Sequence, residues 1–508
     1  MASSLTKETP GAVAGDKAFF GHPRGLATLF MTEMWERFSY YGMRALLVMY
    51  LVSGGADAAT GSQGGGLAMT AATATAIYSV YVAMVYLMAM PGGWFGDRVW
   101  GARKTVQLAS FVIVAGHLCL AMPGQIMFFV GLCLIAVGSG LLKANISTMV
   151  GHLYKDPTDV RRDGGFTIFY MGINLGAVLA PFAIGILGEK VNWHLGFGLA
   201  AVGMAIGSIT FLIGSRGFNK EDDRAPNPLS STEKRAVITK ALVCVAVIAA
   251  FYLLVGLTDV FTLTKNWVLV PIILAGLLIP IAVLVKIKRD KDLSGEEQTK
   301  MTAFIYFFVA AAVFWMIFDQ GASTLSLFGD SKTERNIFGW DMPNTLFQAL
   351  NPGFIMLLAP VAAAIWLALA KRNREPSTIV KFSIALAVAG ASFFVFLIPM
   401  NLATDGTKVT MWWLVLIFLM HTVAELCLSP VGLSLTTKMA PKKYASQMMG
   451  VFFLAVTAGD SVTGMLSVAE VDLNSPGVVA FEAAAAVVAG FLIWLSRNKV
   501  RALMGEVR

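Results

Sequence analysis

The sequence predicts an all-α membrane protein: two six-helix bundles with a two-helix hairpin inserted between them, about fourteen transmembrane helices in all. Three observations predict it. The 508 residues are 56% hydrophobic and only 14% charged, with a mean hydropathy of +0.69, which is more apolar surface than a water-soluble fold can cover. Apolar runs of about 20 residues, the length a helix needs to cross a bilayer, recur from Leu26 to the C-terminal region with short polar turns between them. Basic residues gather in alternate turns, as they do on one side of a membrane.

The runs of the first bundle fall roughly at 25–52, 70–92, 103–122, 125–153, 165–187 and 194–214. Those of the second fall roughly at 300–328, 346–371, 378–401, 409–439, 443–468 and 474–497. Residues 25–214 and 300–497 are therefore expected to form the two bundles. Between them, residues 215–299 read as a polar linker holding two further spans, roughly 235–257 and 264–287, without charges at membrane depth. Residues 1–24, with Lys7, Lys17 and Arg24, lack the apolar core of a signal peptide and are expected in the cytoplasm, as is the tail 498–508.

With the N-terminus inside, the 39 Lys and Arg residues sort into roughly 31 cytoplasmic, 5 external and 3 within the membrane. Arg98, Arg103 and Lys104 share one inside loop, and Arg161 and Arg162 another. Lys286, Lys288, Arg289 and Lys291 share a third, and Lys371, Arg372 and Arg374 a fourth. The basic balance is thus a signature of topology against a lipid bilayer, not of nucleic-acid binding. Cys119, Cys133, Cys244 and Cys427 lie within spans without metal-ligand spacing. His22, His117, His152, His194 and His421 are scattered, with no metalloprotease or nucleophile-elbow pattern, so neither a metal site nor an enzyme is expected.

The first inside loop reads Gly92-Gly93-Trp94-Phe95-Gly96-Asp97-Arg98-Val99-Trp100-Gly101-Ala102-Arg103-Lys104-Thr105. Glycines allow a tight turn between closely packed helices, and Asp97 can engage a basic side chain or a helix N-terminus. The segment resembles the loop signature of the major facilitator superfamily. That resemblance implies the major facilitator fold, with Asp97 and Arg98 as gating residues that hold the cytoplasmic side shut.

The first span carries Glu33, Glu36, Arg37, Tyr40, Tyr41 and Arg44, all within a sector of roughly 140° at about 100° per residue. An ionised side chain at mid-membrane costs roughly 2.5–3.5 kcal/mol, so such a stripe needs pairing or a function. Glu33 can pair with Arg37 one turn on, which leaves Arg44 and one carboxylate for other work. A purely structural stripe of ion pairs is the alternative.

The run Glu33-Met34-Trp35-Glu36-Arg37-Phe38-Ser39-Tyr40-Tyr41-Gly42 resembles the ExxERFxYYG signature of proton-dependent oligopeptide transporters. Gly138–Ser147, with Lys143, resembles that family's fourth-helix motif, and Phe169–Gly176 its fifth. Phe314–Gln320, Gln348–Pro352 and Glu425–Leu433 resemble motifs of its seventh, eighth and tenth helices. The inserted pair is similar to that of bacterial members. Three positions depart from the pattern: Asp319 stands where Glu is common, Phe452 where Trp is usual, and Asp460 where Asn is frequent. The lost indole removes a hydrogen-bond donor. Asp460 is expected at the rim of the site.

The resemblance implies a symporter in the bacterial inner membrane that imports di- and tripeptides with protons and needs no other cofactor. Glu33, Glu36, Arg37, Lys143 and Asp319 would couple protons, with Lys143 facing Asp319 across the bundles. A zwitterionic peptide asks for opposite charges at opposite ends. By resemblance and electrostatics, Arg37, Arg44 and Lys143 would attract its carboxylate, and Glu425 its ammonium from the other bundle. Tyr40, Tyr41, Tyr86, Asn174, Gln320, Asn351 and Ser429 would complete the lining, with Trp315 and Phe452 as apolar walls. His421, four residues before Glu425, reads as packed or water-facing rather than as a pH sensor. Another solute, such as nitrate, a drug or an amino-acid conjugate, is the competing reading, and the oligomeric state is open.

Overall fold

The computed structural model describes residues 18–54, 65–154, 161–218, 220–258, 264–403 and 406–505; Lys7 and Lys17 lie outside the described residues. Thirteen helices among them are long and apolar enough to cross a membrane. The 29-residue α1 (Arg24–Val52) makes a fourteenth, its charges having lowered its hydropathy. Every span but the second lies within about five residues of its expected bounds; the second, expected to end near 92, stays helical to Trp100.

Local chemistry explains the boundaries. In α2 (Ala71–Leu87), the Thr70 hydroxyl accepts from Thr73 N at 3.2 Å, capping the first turn. α3 (Ala89–Phe95) prolongs that span into the glycine-rich loop, which ends at Gly101 with φ 81°, a conformation that favours glycine. α4 (Ala102–Ala121), α5 (Gln125–His152) and α6 (Arg161–Ala180) follow. The short α7 (Ile186–Lys190) leads to α8 (Trp193–Gly214), capped by the Asn192 side chain. α6 lies so close to α1 that a Cβ on Gly176 would collide with the Met34 carbonyl oxygen.

The insert is α9 (Ser231–Thr258) and α10 (Asn266–Lys288). α9 is exposed along nearly its whole described length, and Tyr252 donates to the Trp267 carbonyl at 2.7 Å. The Lys265 ammonium donates to the Thr73 hydroxyl at the head of α2. A Ser294–Glu297 capping box opens α11 (Gly295–Phe318). A 3₁₀ turn at Asp319–Ala322 separates α11 from α12 (Thr324–Lys332). α13 (Leu350–Lys371), α14 (Thr378–Leu402), α15 (Trp412–Met439), α16 (Ala445–Val468) and α17 (Pro476–Leu495) complete the second set. Where a plain tail was expected, α18 (Arg497–Met504) packs Val500 and Met504 against α11 and α14.

α2 lies against α16, and α10 lies against both, so the hairpin covers one seam between the bundles. α6 meets α13 on the opposite side. The ion pairs joining the bundles sit at the centre and at the end remote from the basic loops. At that far end Glu189 accepts from Arg335 Nη1 at 3.1 Å and from the Asn344 and Thr345 N–H groups at 2.8 and 3.0 Å. Lys190 pairs with Asp341 there at 2.5 Å.

At the basic end the segment before the hairpin binds the first bundle. Asp222 meets His152 at 2.6 Å and Asp223 meets Arg103 at 3.0 Å. Asn227 N and Leu229 N donate to the Asp97 and Arg98 carbonyls at 3.0 and 3.1 Å. The segment after the hairpin holds the second bundle: Lys443 and Tyr444 donate to Asp290 at 2.7 and 2.6 Å.

Candidate substrate and proton site

The stripe on α1 separates into two centres, because Arg37 and Arg44 lie seven residues apart, about 10 Å along a helix. In the first, Arg37 Nε meets Glu33 Oε1 at 3.3 Å and also pairs with Glu36 Oε2. Ser139 on α5 donates to Glu36 Oε1 at 3.1 Å. All three charged groups are buried, which restrains the guanidinium on its own helix. Arg37 Nη2 and Glu33 Oε2 are buried without a protein partner, so one edge of the guanidinium fork is unused. The Arg37 guanidinium also stands 5.0 Å from the Tyr40 ring centre.

In the second centre, Arg44 Nη2 donates to Asp319 Oδ1 at 2.5 Å and Arg44 Nε to the Tyr78 hydroxyl at 2.6 Å. Arg44 is therefore committed to the opposite bundle, not left for an incoming carboxylate, and its guanidinium also stands near Tyr41. Lys143 does not face Asp319 as a pair. Its ammonium lies 3.7 Å from the centre of the Tyr86 ring and 5.3 Å from that of Phe453, a cation–π seat. The height of α5 against α1 sets Lys143 beside the lower centre, while Asp319 belongs to the upper one.

On the second bundle, Glu425 Oε2 accepts from Asn351 Nδ2 at 2.9 Å, and Asn351 also donates to Thr422 at 3.1 Å. Ser429 Oγ, one turn from Glu425, is buried without a partner. Trp315 packs between the cores of both bundles. Asn174 donates to the Tyr170 carbonyl at 3.1 Å. Among the described residues, neither Lys143 nor Glu425 has an oppositely charged partner within ion-pair distance.

Four further expectations change. Phe452 is no wall of this site: it fills a slot over Gly432 in the second bundle's core, and the adjacent Phe453, about 100° round the helix, meets Tyr86 and Lys143. Gln320 turns away to Glu482 on α17, at 3.0 Å from each carboxylate oxygen. Asp460 is 2% exposed, not at a rim. The neighbouring Gly459 lets α16 approach α11 so closely that a Cβ there would lie 2.5 Å from the Ala312 carbonyl oxygen. Asp97 and Arg98 clasp the insert rather than the opposite bundle, Arg98 pairing with Glu233 at 2.9 Å.

His421 is a packed histidine, its ring centre 5.7 Å from that of Phe318 and 5.9 Å from that of Phe393. Sequence reasoning missed Tyr78, Phe453 and Glu482. Only Glu482 had a readable signal, as the one acid in an otherwise apolar α17.

Two helical bundles with buried charges facing each other across their seam define a secondary transporter of the major facilitator class, not an enzyme. The chain belongs to the POT family, whose profile matches residues 103–474. It is 39% identical to the di-/tripeptide transporter of Lactococcus lactis subsp. cremoris, an alignment covering 97% of this chain and 99% of that one. A crystal structure of the peptide transporter POT in complex with sulfate matches with TM-score 0.89 and 41% identity, over 97% of this chain and 98% of that one. Another, of a POT family transporter in complex with 5-aminolevulinic acid, matches with TM-score 0.88 and 36% identity, over 96% and 98%.

Proposed function

We propose that the protein imports di- and tripeptides with protons across the bacterial plasma membrane, both termini being cytoplasmic. Residues 25–214 and 300–497 act as the two moving bundles, with 215–299 alongside. The observation that carries the substrate reading is a pair of half-buried charges on opposite bundles, neither with a counter-charge within ion-pair distance among the described residues: Lys143 on the first and Glu425 on the second. A charge held partly out of water without a counter-charge is costly. A zwitterion supplies both counter-charges at once, its carboxylate to Lys143 and the free edge of Arg37, its ammonium to Glu425. The 5-aminolevulinic acid held by a related transporter also carries an ammonium and a carboxylate.

With the basic loops in the cytoplasm, the Glu189 clasp and the Arg44–Asp319 pair close the external side. Protonation of Asp319 removes the charge that holds Arg44 and so loosens the seam. Protonation of Glu33 or Glu36 releases Arg37 toward the peptide carboxylate. Proton and peptide then favour each other's binding by the same factor. The experiment is peptide-dependent acidification of the lumen of proteoliposomes holding the purified protein. Dialanine is expected to acidify it and to be accumulated under an inward proton gradient; no acidification with dialanine or trialanine contradicts the reading.

A further inference from the structure

The span that bears Asp319 is broken at that residue. α11 ends at Phe318, the Asp319–Ala322 turn follows, and α12 restarts at Thr324. A broken helix at membrane depth survives only where neighbouring groups hold it. The hold comes from the side away from the substrate. Gln320 Nε2 donates to Glu482 Oε1 and Oε2, each at 3.0 Å, and to the Met316 carbonyl at 3.1 Å. Gln320 Oε1 accepts from the Thr324 hydroxyl at 2.7 Å. One side chain thus ties both sides of the break to a single carboxyl group.

Glu482 is 1% exposed and is the only ionisable residue of α17. No charge from the packed elements offsets it. α14 carries only Lys381, which pairs with Glu375 at 2.6 Å at the basic end. α11 keeps Glu296, Glu297 and Lys300 at that same end, α18 keeps Arg497, Lys499 and Arg501 there, and Asp319 turns to Arg44. His421 stacks on Phe393, and Phe393 and Phe396 share an apolar cluster with Val479, Ala483 and Ala486 of α17. Glu482 therefore depends on Gln320, which lies within the turn that begins at Asp319, the residue that holds Arg44.

We propose that Glu482 is a positioning residue for proton coupling: through Gln320 it sets the turn that presents Asp319 to Arg44, and it takes up a proton when that turn moves away. A carboxylate stripped of its last donor in apolar surroundings cannot stay ionised at tolerable cost. The carrier thus holds a proton site that touches neither the peptide nor the ion pairs of α1. This inference rests on the transport reading above.

The test compares Glu482→Gln, Gln320→Leu, the double variant and Glu482→Asp with the wild type in proteoliposomes. Dialanine counterflow and proton-driven uptake are measured across pH. Glu482→Gln is expected to keep counterflow while the midpoint of its uptake profile moves by about 0.5 pH unit or more, roughly a threefold change in proton affinity. Gln320→Leu is expected to move it likewise, the double variant no further than either alone, and Glu482→Asp to restore it. A Glu482→Gln profile that superimposes on the wild type overturns the proposal. So does an equal fall of uptake and counterflow with an unmoved midpoint, the mark of a mere brace. If Glu482→Gln does not fold, an unmoved midpoint in Gln320→Leu overturns it instead. Failure of the wild type to transport dialanine at all would strike the peptide reading, and is seen separately in the same experiment.

Discussion

Arg44 on α1 and Asp319 at the break after α11 meet at 2.5 Å across the seam between the bundles. Their side chains are only 13% and 5% exposed. Removing one partner of such a pair strands the other charge, at a cost of about 3–5 kcal/mol. Asp319→Asn keeps the shape and removes the charge. It is expected to weaken the externally closed state, so that a cysteine placed at Lys190 or Asp341 reacts faster with an impermeant thiol reagent. Unchanged labelling together with unchanged uphill uptake counts against this pair as a latch.

If Lys143 and Glu425 read the two ends of a peptide, capping either end removes one charge-assisted contact. N-acetylated and C-amidated dialanine are each expected to compete at least tenfold more weakly than dialanine, a difference of about 1.4 kcal/mol. Competition assays in counterflow give the answer directly. Equal competition by the capped and free forms excludes recognition of the termini.

The Lys143 ammonium sits on the Tyr86 ring without a carboxylate. Lys143→Ala is expected to abolish accumulation of peptide under a proton gradient. Arginine is expected to restore little, because its planar fork does not fit a seat made for a compact ammonium. Wild-type accumulation by the Ala variant would show that the lysine is dispensable.

Glu33 and Glu36 hold Arg37 on its own helix. Glutamine at both positions mimics the protonated form. Peptide binding is then expected to survive but to lose much of its dependence on pH. Counterflow is retained, since exchange requires only that the loaded carrier reorient, whereas concentrative uptake fails. Uphill accumulation with normal proton movement in the double variant removes these acids from the coupling scheme.

The clasp at the basic end is expected to be indifferent to physiological pH. Hydrogen bonds from Lys443 and Tyr444 hold the Asp290 carboxyl well below its ordinary range. A depressed carboxylate contributes its stabilisation above its unfolded value, about 3.9, and loses it only as pH falls through the lower folded value. Asp290→Asn is therefore expected to leave the midpoint of the uptake profile in place between about pH 5 and 8. A displaced midpoint would make this clasp part of the proton response.

Much of this protein is legible along a single helix. Run length and hydropathy placed all fourteen spans, since crossing a bilayer is a constraint on each segment alone. The same local geometry put Glu33, Glu36, Arg37 and Arg44 on one face and brought Glu33 to Arg37. Asn351 and Glu425, named from separate motifs, do meet. The choice of partner between helices was not legible. Whether Arg44 or Lys143 meets Asp319, whether Phe452 or Phe453 faces the charges, and whether Asp460 is buried depend on the rotation and relative height of whole helices. Those are decided by close contacts such as Gly459 against the backbone of α11. The tie from Glu482 to Gln320 likewise exists only because α17 packs behind a broken turn. Helical periodicity ranks faces within one segment, but the register between segments is a property of packing, and only the tertiary structure contains it.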